Sequence, residues 1–131
     1  YHDMSSERDV ETAFRAAVER RAGGVLVLTS PILVTERPRV VALAGRHRLP
    51  TVFADREAAR DGALATYGVN NAELFRRAAG YVDRILRGAS PAEMAIEQPT
   101  KFELLVNASA ADELGIALPQ SLLLRADEVI R

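Results

Sequence analysis

Four consecutive apolar residues, Val25-Leu26-Val27-Leu28, stand between Gly23-Gly24 and Thr29-Ser30-Pro31, and no other stretch constrains the fold as tightly. A short unbroken apolar run bounded by turn residues is the pattern of a strand covered on both faces, as in a parallel sheet flanked by helices. The pattern recurs. Leu49-Pro50-Thr51-Val52-Phe53-Ala54 predicts a second short strand, and Ala63-Leu64-Ala65-Thr66, after Gly62, a third. Helical periodicity fills the intervals. Val10, Phe14, Ala17 and Val18 share one face behind a helix start at Ser6-Glu7-Arg8-Asp9, where a hydroxyl cap precedes acidic residues. A second helix is predicted from Glu36 to His47, with Pro38 in its first turn and Val40, Leu43, Ala44 and His47 towards the sheet. Asp55 to Asp61 reads as a helical turn or loop. Strand, helix and strand at this spacing form the βαβ pattern, so we expect a three-layer α/β lobe on a parallel sheet with right-handed crossovers.

The strongest helix signal lies further on. Asn70 or Asn71 caps it, Phe75, Ala78, Val82, Ile85 and Leu86 form its apolar stripe, and Gly88 supplies a left-handed stop. Beyond the connection from Pro91 to Pro99, Phe102, Leu104 and Val106 alternate with their neighbours as a half-buried strand. Ser109 to Leu114 is a short helix ended by Gly115, and a last short element finishes at Val129 and Ile130.

At 131 residues the chain suffices for one compact domain. Its formal net charge of -1 argues against a nucleic-acid or anionic-membrane partner, both of which demand a concentrated basic surface. Cysteine is absent, which excludes disulfides and cysteine-ligated metals. No stretch approaches the roughly 18 consecutive apolar residues of a membrane span, and no signal peptide opens the chain.

Ligands of open α/β sheets collect beyond the carboxyl ends of the strands. Three places qualify: Thr29-Ser30 after the first strand, Asp55-Arg56 after the second, and Thr66-Tyr67 after the third. Together they offer hydroxyls, a carboxylate, a guanidinium and an aromatic ring, the set a zwitterionic amino acid needs. Each residue also has a plainer reading. Thr29 and Ser30 suit a cap on the following turn, Asp55 and Arg56 suit a surface pair with each other, and Tyr67 suits core packing. No catalytic constellation is present: there is no cysteine nucleophile, no G-x-S-x-G elbow, no Walker loop and no dinucleotide glycine pattern. His47, between Arg46 and Arg48 at a helix end, suits a cap, and with the remote His2 it makes no metal site. We therefore expect no catalytic residue, no metal and no cofactor.

One stretch has no chemical reading: Glu97-Gln98-Pro99-Thr100-Lys101-Phe102-Glu103-Leu104-Leu105-Val106-Asn107, followed by Leu114-Gly115-Ile116 and by Leu118 to Ile130. It resembles the C-terminal signature of a family of ABC-transporter substrate-binding proteins that includes aromatic amino-acid binders. The resemblance continues through Arg46-His47-Arg48-Leu49-Pro50, Tyr67-Gly68 and Tyr81 to Gly88, and covers the chain from about Asp9 onward. It implies a type I periplasmic-binding-protein fold, in which two α/β lobes close around a small solute. Members are more than twice this long, so it also implies an incomplete chain, the C-terminal part of such a protein. Residues 1–66 would then be the second-lobe core, 67–99 the inter-lobe crossing and its helix, and 100–131 the return strand and C-terminal elements. A small-molecule ligand, an ABC permease as partner and a periplasmic or extracytoplasmic location are implied as well. If the helix from Asn71 to Arg87 rests on a first lobe, its stripe is expected to drive self-association of this chain, the alternative being a helix folded back on its own sheet. A rival class is a free-standing flavodoxin-like or receiver-like regulatory domain with Asp55 as phosphoacceptor, although no acidic pair accompanies that residue.

Overall fold

The computed structural model describes residues 7–131, with side chains from Asp9 onward, so the Ser6 cap and His2 lie outside the described residues. Five strands form one sheet in the spatial order of the chain: β1 (Val25–Val27), β2 (Thr51–Phe53), β3 (Ala65–Val69), β4 (Phe102–Asn107) and β5 (Glu128–Ile130). β1 pairs with β2, β2 with β3, and β4 with β5, all in parallel. β4 runs back along β3, since the amide of Asn107 at its end donates to the carbonyl of Leu64, just before β3 begins, at 2.9 Å. The sheet is mostly parallel, with one reversal where the chain returns.

The helices are α1 (Glu7–Glu19), α2 (Pro31–Thr35), α3 (Arg37–Arg46), α4 (Glu57–Arg60), α5 (Asn71–Leu86), α6 (Ala108–Leu114) and α7 (Gln120–Leu123), with a 3₁₀ turn at Pro91–Glu93. The second predicted helix is α3, with Pro38 in its first turn. α2 was not foreseen. Ser30 is extended, its hydroxyl accepts from the Leu33 amide at 3.3 Å, and Pro31 follows as the first helical residue, so five residues close into a helix where the sequence reading assigned no element. The third strand starts two residues later than expected and continues through Tyr67 and Gly68. Gly62, with φ of 109°, turns the chain before Ala63.

Two compact units emerge. One comprises the chain up to Gly68 together with Glu103–Arg131, and the other is Val69–Phe102. The core of the first joins α1 (Val10, Phe14) and α3 (Val40, Val41, Leu43, Ala44) to Val27 of β1 and Phe53 of β2. On α1, Val10, Ala13, Phe14 and Ala17 recur at helical spacing; Val18 turns out of that face and is exposed. On β1, Val27 is buried but Leu26, on the opposite face, is 69% exposed, so only one face of this strand is covered. The apolar run therefore predicts the strand correctly and the cover on its second face incorrectly for this chain.

Burial on β4 rises towards its end, with Leu105 and Val106 fully enclosed and Asn107 also buried. The Asn107 side chain donates to the Ala59 carbonyl at 2.8 Å and accepts from the Ala110 amide at 2.9 Å, which caps α6. One residue thus ties α4, β3, β4 and α6 together.

In the second unit, Asn70 accepts from the Glu73 amide at 3.0 Å and starts α5, and Gly88 ends it with φ of 101°. The segment after the helix folds back along it. Tyr81 donates its hydroxyl to the Ala95 carbonyl at 2.7 Å, Arg84 stacks over the Tyr81 ring, and Arg77 pairs with Glu97. None of the α5 side chains is fully buried.

Two outcomes follow from these ties. Asn107→Ala removes a helix cap, worth about 1 kcal/mol, and orphans a buried carbonyl at about 1–3 kcal/mol. Urea unfolding should show a loss of about 2–4 kcal/mol in sum, with Asn107→Asp at least as damaging at neutral pH, because it keeps the cap but sets a buried carboxylate oxygen against the Ala59 carbonyl. A loss within experimental error would remove Asn107 from this role. The second outcome is a titration. The hydrogen bond from Arg77, and then its charge, hold the Glu97 carboxyl below the usual carboxylate range. A depressed value means the tie is fully formed above the ordinary glutamate value of about 4.3 and is lost as pH falls through the lowered one. Carboxyl NMR should find Glu97 titrating low in the native chain and near the ordinary value in Arg77→Met; an ordinary value in both would contradict the pairing.

Candidate ligand-binding rim

Thr29 and Ser30 follow β1, Asp55 and Arg56 follow β2, and Thr66 and Tyr67 lie in β3, each in different circumstances. Thr29 follows β1 and is exposed. Ser30 is committed to the α2 cap, so its plainer reading is the observed one. Asp55 and Arg56 do not pair with each other. Asp55 accepts from Arg37 at 2.6 Å and from the Glu57 amide at 3.3 Å. Arg37 also donates to Asp61 at 2.5 Å, and the Asp61 bond and then the Asp55 bond hold its guanidinium more firmly charged than an ordinary arginine, against the opposing effect of partial burial. Arg56 reaches Glu103 at 2.9 Å and Glu128 at 3.0 Å.

Thr66 and Tyr67 lie within β3 rather than after it. Successive strand residues face opposite sides. Thr66, opposite Phe53, is buried and its hydroxyl oxygen has no protein partner, whereas the Tyr67 ring is 57% exposed. Thr66 thus faces the interior and Tyr67 faces outward. His47 ends α3 and its ring stacks on Phe14, with centroids 6.4 Å apart, in keeping with a helix-end role.

Arg37, Glu103 and Glu128 decide what Asp55 and Arg56 can do, and no local pattern announces them. They stand 18, 47 and 72 residues from their partners. The hollow between the rim loops, lined by Leu28, Thr29, Val34 and Asp55 among others, measures about 10 Å³. That is room for one water at most, so the rim hollow by itself encloses no solute; a hollow of about 260 Å³ in the same unit, lined by Arg48, Thr51, Leu64 and Glu113 among others, lies away from the rim residues. The second unit carries a larger hollow of about 340 Å³ at the start of α5. Much of its polar lining is already engaged: Asn70 caps the helix, Glu73 pairs with Arg76, and Arg77 with Glu97, while Thr100 and Lys101 complete it.

Residues 3–130 match the profile of the ABC transporter substrate binding protein family, and the chain belongs to that family. No curated protein matches it. Among solved structures it is similar to a conserved domain protein of Vibrio cholerae O1 biovar eltor, with 25% identity and a TM-score of 0.85 over 93% of this chain and 41% of that one. A Streptococcus pneumoniae ABC domain in complex with L-Trp shares 21% identity at a TM-score of 0.88, over 97% of this chain and 43% of that one. The ligand-free, open structure of a Clostridium difficile substrate-binding protein with adhesive properties shares 21% identity at a TM-score of 0.66, over 97% and 42%. The chain thus spans about two fifths of the length of the solved structures it matches. No helix among the described residues is long and apolar enough to cross a membrane.

The Arg56 ties are testable directly. Arg56→Met removes the guanidinium that Glu103 and Glu128 share, and part-exposed charged hydrogen bonds of this kind make a loss of about 1–2 kcal/mol the expected result. Urea unfolding should show the larger loss at low salt and a smaller one at high salt, where the carboxylates repel less. A variant as stable as the parent at low salt would show that the pairs contribute nothing.

Proposed function

We propose that this chain is the second lobe of an extracytoplasmic solute receptor that delivers a small molecule, of the amino-acid class, to an ABC importer, and that its role is binding rather than catalysis. In this reading residues 1–66 form the lobe core, 67–99 cross to the first lobe and carry the helix that rests on it, and 100–131 return. The observation that carries it is the rim: Thr29 and the exposed Tyr67 ring stand beside charges that are internally compensated, around a hollow too small to hold a solute. Such a surface contributes one wall of a site whose other wall lies on a partner lobe. The wall it contributes is a stacking face with hydroxyls, and the compensation of Asp55 and Arg56 leaves the ligand's own charges to be met elsewhere. Family membership and the L-Trp complex of one structural neighbour favour the same ligand class. A receiver-like role is disfavoured, because Asp55 is engaged by Arg37 at 2.6 Å where a phosphoacceptor needs neighbouring carboxylates and a metal.

The test is an NMR titration of the 131-residue chain with L-Trp, L-Phe and L-Ala. With one wall only, we expect weak, millimolar binding of the aromatic ligands, with shifts confined to Thr29, Ala54–Arg56 and Tyr67, and loss of those shifts in Tyr67→Ala. Tight stoichiometric binding would refute the one-wall geometry. Shifts elsewhere, or none at all, would refute the rim.

A further inference from the structure

We propose that the hollow at the amino ends of β2 and β3 is a second solute site of the first unit, separate from the rim, and that it takes a small zwitterion with a short apolar side chain. It measures about 260 Å³, below the roughly 300–1,000 Å³ of most small-molecule sites, so its ligand is small. Its lining comes wholly from the first unit. Thr51 opens β2 and Leu64 precedes β3, whereas the chain leaves the unit after Gly68, at the far end of β3 beside Tyr67. The hollow thus lies at the other end of these strands from the rim, away from the wall that the proposed function turns towards a first lobe.

Its charges are open where those of the rim are closed. Among the described residues the Glu113 carboxylate makes no ion pair or hydrogen bond, and the Arg48 guanidinium reaches only the Glu113 and Leu114 carbonyls, at 3.4 Å each and through one nitrogen. Both residues are exposed, while Leu49 and Thr51 are buried. The Thr51 hydroxyl has no hydrogen-bond partner among the described residues, yet unlike that of Thr66 it is not sealed off, so a solute in the hollow can meet it. A buried hydroxyl left unmet is costly.

Two local choices go against the easier residue. Arg48 has φ of 52°, in the left-handed region that favours glycine. Gly45 stands in the last turn of α3, where a residue with a side chain makes the better helix. A Cβ at Gly45 would meet nothing within 4 Å, so its absence leaves space rather than avoiding a clash. Arginine stands where glycine is easier, glycine where another residue is easier, and both line this hollow. Such departures from local preference argue for a role beyond the local fold. The chemistry names the ligand. The free donors of Arg48 suit a carboxylate, Glu113 suits an ammonium, and Leu49 and Leu64 suit a short aliphatic group. A lone anion is opposed by Glu113 and by the carbonyl ends of α3 and α6, and a lone cation by Arg48. A molecule bearing both charges meets each with its opposite.

The experiment is an amide NMR titration of the whole chain with L-valine, with isobutylamine, which lacks its carboxylate, and with isovalerate, which lacks its ammonium. Thermal melts confirm that each variant is folded. We expect L-valine to shift Gly45, Arg48, Thr51, Leu64 and Glu113, and to bind roughly tenfold tighter than either analogue, the value of one charged hydrogen bond. Tyr67→Ala, which removes the rim response, should leave these shifts intact, so the two sites are told apart. Glu113→Gln should erase the preference for L-valine over isovalerate. Arg48→Gly, which suits the backbone, should remove the preference over isobutylamine, and Gly45→Leu should abolish binding of all three by filling the hollow. A purely structural Arg48 predicts the reverse, a lower melting temperature with binding unchanged. No shift at these residues overturns the proposal, as do shifts indifferent to Arg48→Gly and Glu113→Gln. Analogues that bind as tightly as L-valine overturn the zwitterion.

Discussion

The first unit depends on how the chain, having left the sheet after β3, is fastened when it returns, and Asn107 is the fastening. Its buried amide meets α4 through Ala59, its carbonyl oxygen caps α6 at Ala110, and its backbone amide meets Leu64 before β3. A buried side-chain amide is stable only when its donor and acceptor are both engaged with correct geometry. That requirement makes Asn107 selective: β4 can enter at one register alone without leaving a buried polar group unpaired. The reversal of β4 against β3 and the placing of α6 follow from it.

Arg56 fastens the opposite end of the same strands. It takes the loop after β2 to the first turns of β4 and β5 through Glu103 and Glu128. With Arg37 joining Asp55 and Asp61, the rim is a set of closed ion pairs rather than a set of free charges. Part-exposed pairs of this kind add modest stability, but they fix the direction in which the loops leave the sheet. Under the proposed function, recognition at this rim would fall to shape, ring and hydroxyl, because a guanidinium already bridging two carboxylates has little left to offer a solute.

Sequence reasoning recovered what periodicity and local chemistry encode. The βαβ order, the Asn70 cap, the Gly88 and Gly115 stops and the α1 and α3 faces are all set by residues within a few positions of one another. It missed α2, although Ser30-Pro31 carried a legible start, because a helix of five residues shows no periodicity. It misread the surroundings of β1, since an apolar run records that a strand is suited to cover on both faces and not whether this chain supplies the cover. At the rim, it found the residues but not their engagements. Pairings across 18, 47 and 72 positions arise only when the sheet closes. The signature from Glu97 to Asn107 was recognisable as a family pattern, yet its physical content was not: Glu97 locks a segment to α5, Glu103 meets Arg56, and Asn107 closes the sheet.

The placing of Tyr67 rests on its neighbour. A Cβ at Gly68 would fall 1.9 Å from the Ala54 carbonyl oxygen, far inside contact distance, so no residue other than glycine fits without moving a backbone. That close approach carries β3 beyond the ends of β1 and β2 and draws it against the loop that bears Asp55 and Arg56. Strand alternation then turns Thr66 into the interior and Tyr67 outward. The outward placing of the Tyr67 ring is therefore a consequence of backbone packing at Ala54 and Gly68, which fixes how closely β3 approaches the Asp55 loop.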